Sequence, residues 1–109
     1  IADLASLGLP IHVSELDVGL SRKRLELRTR EDQLQLQAKL VAEVAEAFVA
    51  LPRAQRYAFT AFGLRDKDSW LRRPPNAGDG TDQPLLFDDE GQPKPAFEAV
   101  VDAVRAAKA

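Results

Sequence analysis

The chain has 109 residues, enough for one small domain and too few for two, with 15 basic and 17 acidic side chains and a net charge of −2. That balance gives no general attraction to nucleic acid or to an anionic membrane; no apolar run is long enough to span a bilayer, and nothing at the N-terminus resembles a signal peptide. The lack of cysteine excludes disulfides, thiolate nucleophiles and thiolate metal sites, and the lack of methionine implies that Ile1 is not a translation start, so a longer parent polypeptide is expected.

Residues 2–7 read as the tail of a helix, with Leu4 and Leu7 apolar and Gly8 where a C-terminal stop belongs. A strand is predicted from about Pro10 to Val18, centred on the segment LPIHVSELD (residues 9–17). Strict alternation puts Ile11, Val13, Glu15 and Asp17 on one face and His12, Ser14 and Leu16 on the other. Two apolar residues thus lead into two acids. A charge at the end of an apolar stripe costs free energy unless it is paired or near solvent, which makes this strand end a candidate site. The same acids can equally serve only to cap the strand or to bond nearby loops. His12, the sole histidine, is turned away from Glu15 by the same alternation and reads as a packing or surface residue.

Gly19 to Arg30 is polar, with Arg22, Lys23, Arg24, Arg28 and Arg30 interleaved by acids and without an aromatic stacking platform. A solvated loop is therefore expected there, and no nucleic-acid interface. From about Arg30 to Leu51, Leu34, Ala38, Val41, Ala45, Phe48 and Leu51 recur at helical spacing, and Pro52 ends the helix. Tyr57 to Phe62 reads as a second strand with apolar residues on both faces, as in a parallel strand covered on two sides, and Gly63 lets the chain turn. Residues 64–92 form a long loop punctuated by proline and glycine, of the kind that often covers a site. Pro95 stands near the start of a last helix with Phe97, Val100, Val101 and Val104 as its buried stripe. Strand, helix, strand, loop and helix in this order predict parallel, right-handed crossover units and an α/β fold. There is no internal repeat. No metal cluster, phosphate-cradling glycine loop or nucleotide fingerprint occurs in the sequence, so no cofactor is expected.

Three blocks, Leu9 to Asp17, Ala58 to Gly63 followed by DKDSWL (residues 66–71), and PLLFDDEGQPKPAF (residues 84–97), resemble in order and spacing the C-terminal quarter of the family 10 glycoside hydrolases, the endo-1,4-β-xylanases. The resemblance implies a fragment of a TIM (β/α)8 barrel covering the seventh and eighth strands with their helices. Residues 1–109 would then be the C-terminal part of that barrel and not a complete domain. Active sites in such barrels lie at the C-terminal ends of the strands.

The resemblance makes Glu15 the nucleophile of a retaining glycosidase, working with a second carboxyl group about 5–5.5 Å away that acts as acid and then base. It makes Asp17 a supporting acid that helps hold a histidine from an earlier strand. It assigns Trp70 to cover a sugar subsite, as an indole face suits sugar C–H groups, although by itself Trp70 also reads as a plug anchoring the long loop. Phe62 stands where the family usually has tryptophan beside the scissile bond, and Ser14 where threonine is commoner. Asp66, Lys67 and Asp68 are expected to shape the turn through hydrogen bonds.

The acid/base belongs to the fourth strand of the family and is not among these residues. The expectation is therefore a xylan-cleaving, and by resemblance secreted, parent protein, with the isolated chain inactive. Its partners would be xylan or a related β-1,4-glycan, and the remaining barrel segments or a second copy, which would cover strand edges left open. Two other readings stand beside it: a structural fragment of such a barrel, and a carbohydrate-binding remnant using Trp70 and Phe62.

Overall fold

Gly8 closes the short first helix, α1 (Ala2–Ala5), with a left-handed backbone at φ 76° in the computed structural model, which describes residues 1–20, 29–78 and 80–108. The basic positions Arg22, Lys23, Arg24 and Arg28 lie outside the described residues. Strand β1 spans Ile11–Leu16, and helix α2 spans Arg30–Val49. Thr29 caps α2 by accepting a hydrogen bond from the Asp32 amide at 3.1 Å, and Glu31 and Asp32 place negative charge in its first turn. Strand β2 follows as Arg56–Ala61, and the last helix, α3, as Pro95–Lys108.

β1 and β2 pair in parallel, as the order of elements predicts. Phe48 of α2 meets Phe59 of β2 with ring centroids 5.6 Å apart, so the helices cover the face that carries Phe59 and its pairing partner Val13. Among the described residues the buried hydrophobic core includes Leu20, Val41, Ala45, Phe48, Leu51, Leu85, Ala96 and Ala103. On α3 the deepest burial falls on Ala96 and Ala103, while Val104 is 39% exposed, because the small side chains sit where α3 packs close to α2.

The expected stripe of Phe97, Val100, Val101 and Val104 is thus not the buried one, and two further expectations change. The buried stripe of α2 starts with Gln33 and Gln37 before reaching Val41, Ala45 and Phe48; Leu34 and Ala38 are only half-buried. The reason is polar: the ends of β1 and of the long loop present carbonyl groups to this part of the helix, and an amide can satisfy them where leucine cannot. Nor is β2 buried on both faces. Tyr57 is 72% exposed and Thr60 is exposed, as are His12 and Ser14 on β1: the helices cover one side of the two-stranded sheet, and Tyr57 is the extra residue where the register shifts between Ile11 opposite Arg56 and His12 opposite Ala58, which takes it off the face of Phe59. His12 lies on this open side, hydrogen bonded to Thr60 Oγ1 at 2.9 Å with its ring 5.5 Å from that of Tyr57.

The long loop is ordered by two 3-10 turns, Asp66–Asp68 and Trp70–Arg72, and by bridges from Phe87 to Arg65 and to Pro93. Gly63 is required at its start. Its φ is 137°, and a Cβ there would meet Leu85 Cδ1 at 2.8 Å, so no larger residue lets the buried leucine lie under the turn.

Candidate functional site

Alternation along β1 breaks just before its acids. Val13 pairs with Phe59 and Leu16 with Ala61, so Ser14 and Glu15 together oppose the single Thr60. This is a β-bulge, and Glu15 carries a left-handed backbone with φ 55°. Such a conformation costs a non-glycine residue about 1–3 kcal/mol and collects at functional sites. Glu15 therefore does not continue the face of Ile11 and Val13: those two are half-buried against the helices, Glu15 is exposed, and Leu16 returns to half-burial. The bulge replaces simple alternation as the device that aims the acid, and it also removes the alternation argument for His12 turning away from Glu15.

Asp17, just beyond the strand, accepts a hydrogen bond from the Trp70 indole Nε1 at 2.8 Å. Trp70 is 44% exposed, which rules out the buried plug and leaves an aromatic face open to solvent with its polar edge fixed. Phe62, 41% exposed, is tied to the same strand end by its backbone, donating to the Leu16 carbonyl at 2.9 Å. Glu15 and Asp17 at the end of β1, Phe62 after β2 and Trp70 from the long loop thus converge at the C-terminal end of the parallel pair.

The loop that presents Trp70 is held from below by charge. Asp66 is wholly buried and its Oδ1 accepts from the Leu85 amide at 2.8 Å and from Lys94 Nζ at 3.0 Å. Lys94, also buried, uses its remaining donors on the Gln83 and Leu85 carbonyls, each at 2.7 Å. Burial pushes the Asp66 carboxyl above and the Lys94 ammonium below their ordinary values, since each loses hydration; their mutual attraction opposes both shifts. Asp68 caps the turn by accepting from the Arg65 amide at 3.2 Å, and it also accepts two hydrogen bonds from the Arg65 guanidinium, at 2.9 and 3.1 Å, which hold its carboxyl below the ordinary aspartate value. Asp66 and Asp68 shape the turn as expected; Lys67 is exposed. Arg72 binds the Asp82 carbonyl and both Asp89 carboxylate oxygens, joining the second turn to the far part of the loop.

Gln37, Lys94 and Arg72 escape sequence reasoning. The Gln33–Gln37 step does lie in register with Val41 and Ala45, so the four-residue spacing carried the signal for Gln37; nothing local marked Lys94 as buried. Among the described residues no group of three or more histidine or acidic side chains is placed to hold a metal ion, and no helix is long and apolar enough to cross a membrane.

Known proteins resemble this chain. The profile of Glycosyl hydrolase family 10 matches residues 1–103. Endo-1,4-beta-xylanase A of Thermoanaerobacterium saccharolyticum is 38% identical over 109 residues, covering 97% of this chain and 8% of its own. A thermostable mutant of a xylanase from Cellvibrio japonicus superposes with a TM-score of 0.74 at 33% identity, over 90% of this chain and 31% of that one. Xylanase 10B from Thermotoga petrophila in complex with xylobiose has a TM-score of 0.74 at 28% identity, over 96% and 29%. The chain thus spans less than a third of the length of each of these proteins. They are TIM barrels, of which this α/β chain matches a piece.

Proposed function

The chain belongs to glycosyl hydrolase family 10, and on that premise we propose that it forms the C-terminal part of a retaining endo-1,4-β-xylanase-like barrel, with β1 and β2 as the seventh and eighth strands. The parent protein cleaves β-1,4-xylan. What carries this reading is the shared placement of Glu15 and Trp70: an acid raised on a bulge at the C-terminal end of a parallel strand, with an exposed indole pinned to Asp17 two residues along. Xylobiose in the similar Thermotoga petrophila structure supports xylan as the substrate.

In this mechanism Glu15 attacks the anomeric carbon while a second carboxyl group, about 5–5.5 Å away, protonates the departing oxygen. The sugar–Glu15 ester is then hydrolysed by water, which gives its proton to that same carboxyl group, now acting as base. The second carboxyl comes from an earlier strand outside these 109 residues. Asp17 supports the site by holding Trp70 and a histidine from the missing part, while Trp70 and Phe62 offer apolar faces to the sugar rings. With one carboxylate of the pair, the 109 residues alone do not turn over substrate. The open sheet face bearing His12, Ser14 and Thr60 is where the remaining barrel segments pack, or a second copy in their absence.

The test is a graft. Residues 1–103 replace the matching segment of Thermotoga petrophila xylanase 10B, and xylan hydrolysis is followed by NMR of the first-formed anomer. Activity with retained configuration, lost in Glu15→Gln, is expected; a folded graft whose activity survives Glu15→Gln overturns the assignment. The isolated chain is expected to leave an aryl xyloside intact, and turnover that depends on Glu15 would show that it needs no partner.

A further inference from the structure

Gln37 is 1% exposed, and its Nε2 donates to the Val18 carbonyl at 2.9 Å and to the Gln83 carbonyl at 2.6 Å, while its own Oε1 is buried without a partner. The orientation of the amide follows from those acceptors, since turning it over would aim its oxygen at two carbonyls. A buried amide with an orphaned oxygen stabilises a core less than methionine of similar volume does. What its two donors hold must therefore account for it.

They hold the residue after Asp17 to the start of the PLLFDDEGQPKPAF segment, and the connection does not stop there. The Gln83 carbonyl also accepts from Lys94 Nζ, and Lys94 pairs with Asp66 at 3.0 Å. Asp66 opens the turn that leads through the wholly buried Ser69 to Trp70. The Trp70 indole then donates to Asp17, the neighbour of Val18, where the circuit began. Each link joins a different segment, so the offset between the end of β1 and the tryptophan is determined from both directions.

We propose that Gln37 is a positioning residue: by bridging the Val18 and Gln83 carbonyls, beside the Val18 amide that donates to the Pro84 carbonyl at 2.9 Å, it reinforces the closure of a ring of hydrogen bonds that fixes Trp70 relative to the strand end bearing Glu15. This rests on the reading of Glu15 and Trp70 as parts of one sugar site. Gln37 acts through Val18 and Gln83, with no sugar contact of its own.

Trp70 is the sole tryptophan, so the ¹H–¹⁵N spectrum of the full chain holds one indole N–H resonance. In Gln37→Met, which keeps volume and removes both donors, that resonance is expected to move toward its position in Asp17→Ala. Val41→Ala, a core truncation on the same buried stripe, is expected to lower stability and leave it in place. Gln37→Glu supplies the second variant: burial against two carbonyls keeps the introduced carboxyl protonated and so retains one donor, and its resonance is expected to lie between those of the parent and of Gln37→Met. A general loss of packing gives no such order. An unchanged resonance in folded Gln37→Met, an equal movement in Val41→Ala, or a resonance in Gln37→Glu moved as far as in Gln37→Met overturns the proposal. The graft assay can fail while the indole comparison succeeds, and the reverse, so the site reading and the positioning role are tested apart.

Discussion

The Trp70 indole and the Asp17 carboxylate meet at 2.8 Å across 53 positions of sequence, and this one hydrogen bond joins the strand end that carries Glu15 to the loop that carries the exposed aromatic. A carboxylate acceptor at a partly solvated site is worth about 1 kcal/mol. Asp17→Ala is therefore expected to lower the unfolding free energy by about that amount and to shift the fluorescence of the single tryptophan to the red. Asp17→Asn, which retains an acceptor oxygen, is expected to fall between the two. Identical emission in all three would mean that the bond does not hold Trp70 in solution.

Lys94→Met leaves the Asp66 carboxylate buried without its cation, and removal of one member of such a pair costs about 3–5 kcal/mol. The double substitution Lys94→Met with Asp66→Asn leaves no buried charge and is expected to recover a large part of that loss. Urea denaturation of the two variants and the parent reads the comparison directly. A double variant as unstable as the single one would show that the ion pair is not the source of the effect.

Acid affects Asp66 and Asp68 in opposite senses. Burial raises the Asp66 carboxyl, so the folded state takes up a proton before the unfolded state does, and stability falls as pH rises from the ordinary aspartate value through the folded one. The Arg65 hydrogen bonds depress Asp68, whose contribution is present above the ordinary value and is lost as pH falls through its lower folded value. Carboxyl-carbon NMR of the folded chain is expected to show Asp66 titrating at higher pH than Asp68. Asp68→Asn is expected to flatten the acid limb of the stability profile. The reverse order of titration would contradict the buried pairing of Asp66.

Glu15 occupies a left-handed backbone within the bulge, so Glu15→Gly relieves strain of about 1–3 kcal/mol while adding back glycine's entropic cost of about 0.5–1 kcal/mol. The expected result is a chain as stable as the parent or more so, whereas Ser14→Gly, on the same strand, is expected to destabilise. Thermal denaturation of the two glycine variants separates these signs. Equal losses at both positions would mean that position 15 bears no strain.

Much of this was legible in the sequence because it depends on local rules. Gly8 and Pro52 ended helices, and the strand–helix–strand order led to a parallel pair. The family resemblance, carried by the segments around Glu15, Trp70 and Phe87, was borne out by the match to residues 1–103. What alternation could not reveal was the bulge: an extra residue opposite Thr60 depends on the partner strand, and nothing in LPIHVSELD states its own register. Gln37 and Lys94 were hidden for a related reason. Their burial is compensated by carbonyl groups from other segments, Val18, Gln83 and Leu85, whose proximity exists only once the chain has folded. Tyr57 and Thr60 misled in the opposite direction, since apolar character on both faces of a strand does not say whether anything arrives to cover them.

Pairing between the strands resumes at Leu16 opposite Ala61 as soon as the bulge is passed. The extra residue is thus a local insertion that leaves its downstream frame intact: Phe62 still bonds to Leu16, and Asp17 still reaches Trp70. A strand built in this way separates reactivity from architecture. On the proposed reading of Glu15, a change at the bulge alters the chemistry while the surrounding register persists, so activity at this strand end can be lost without the scaffold having to refold.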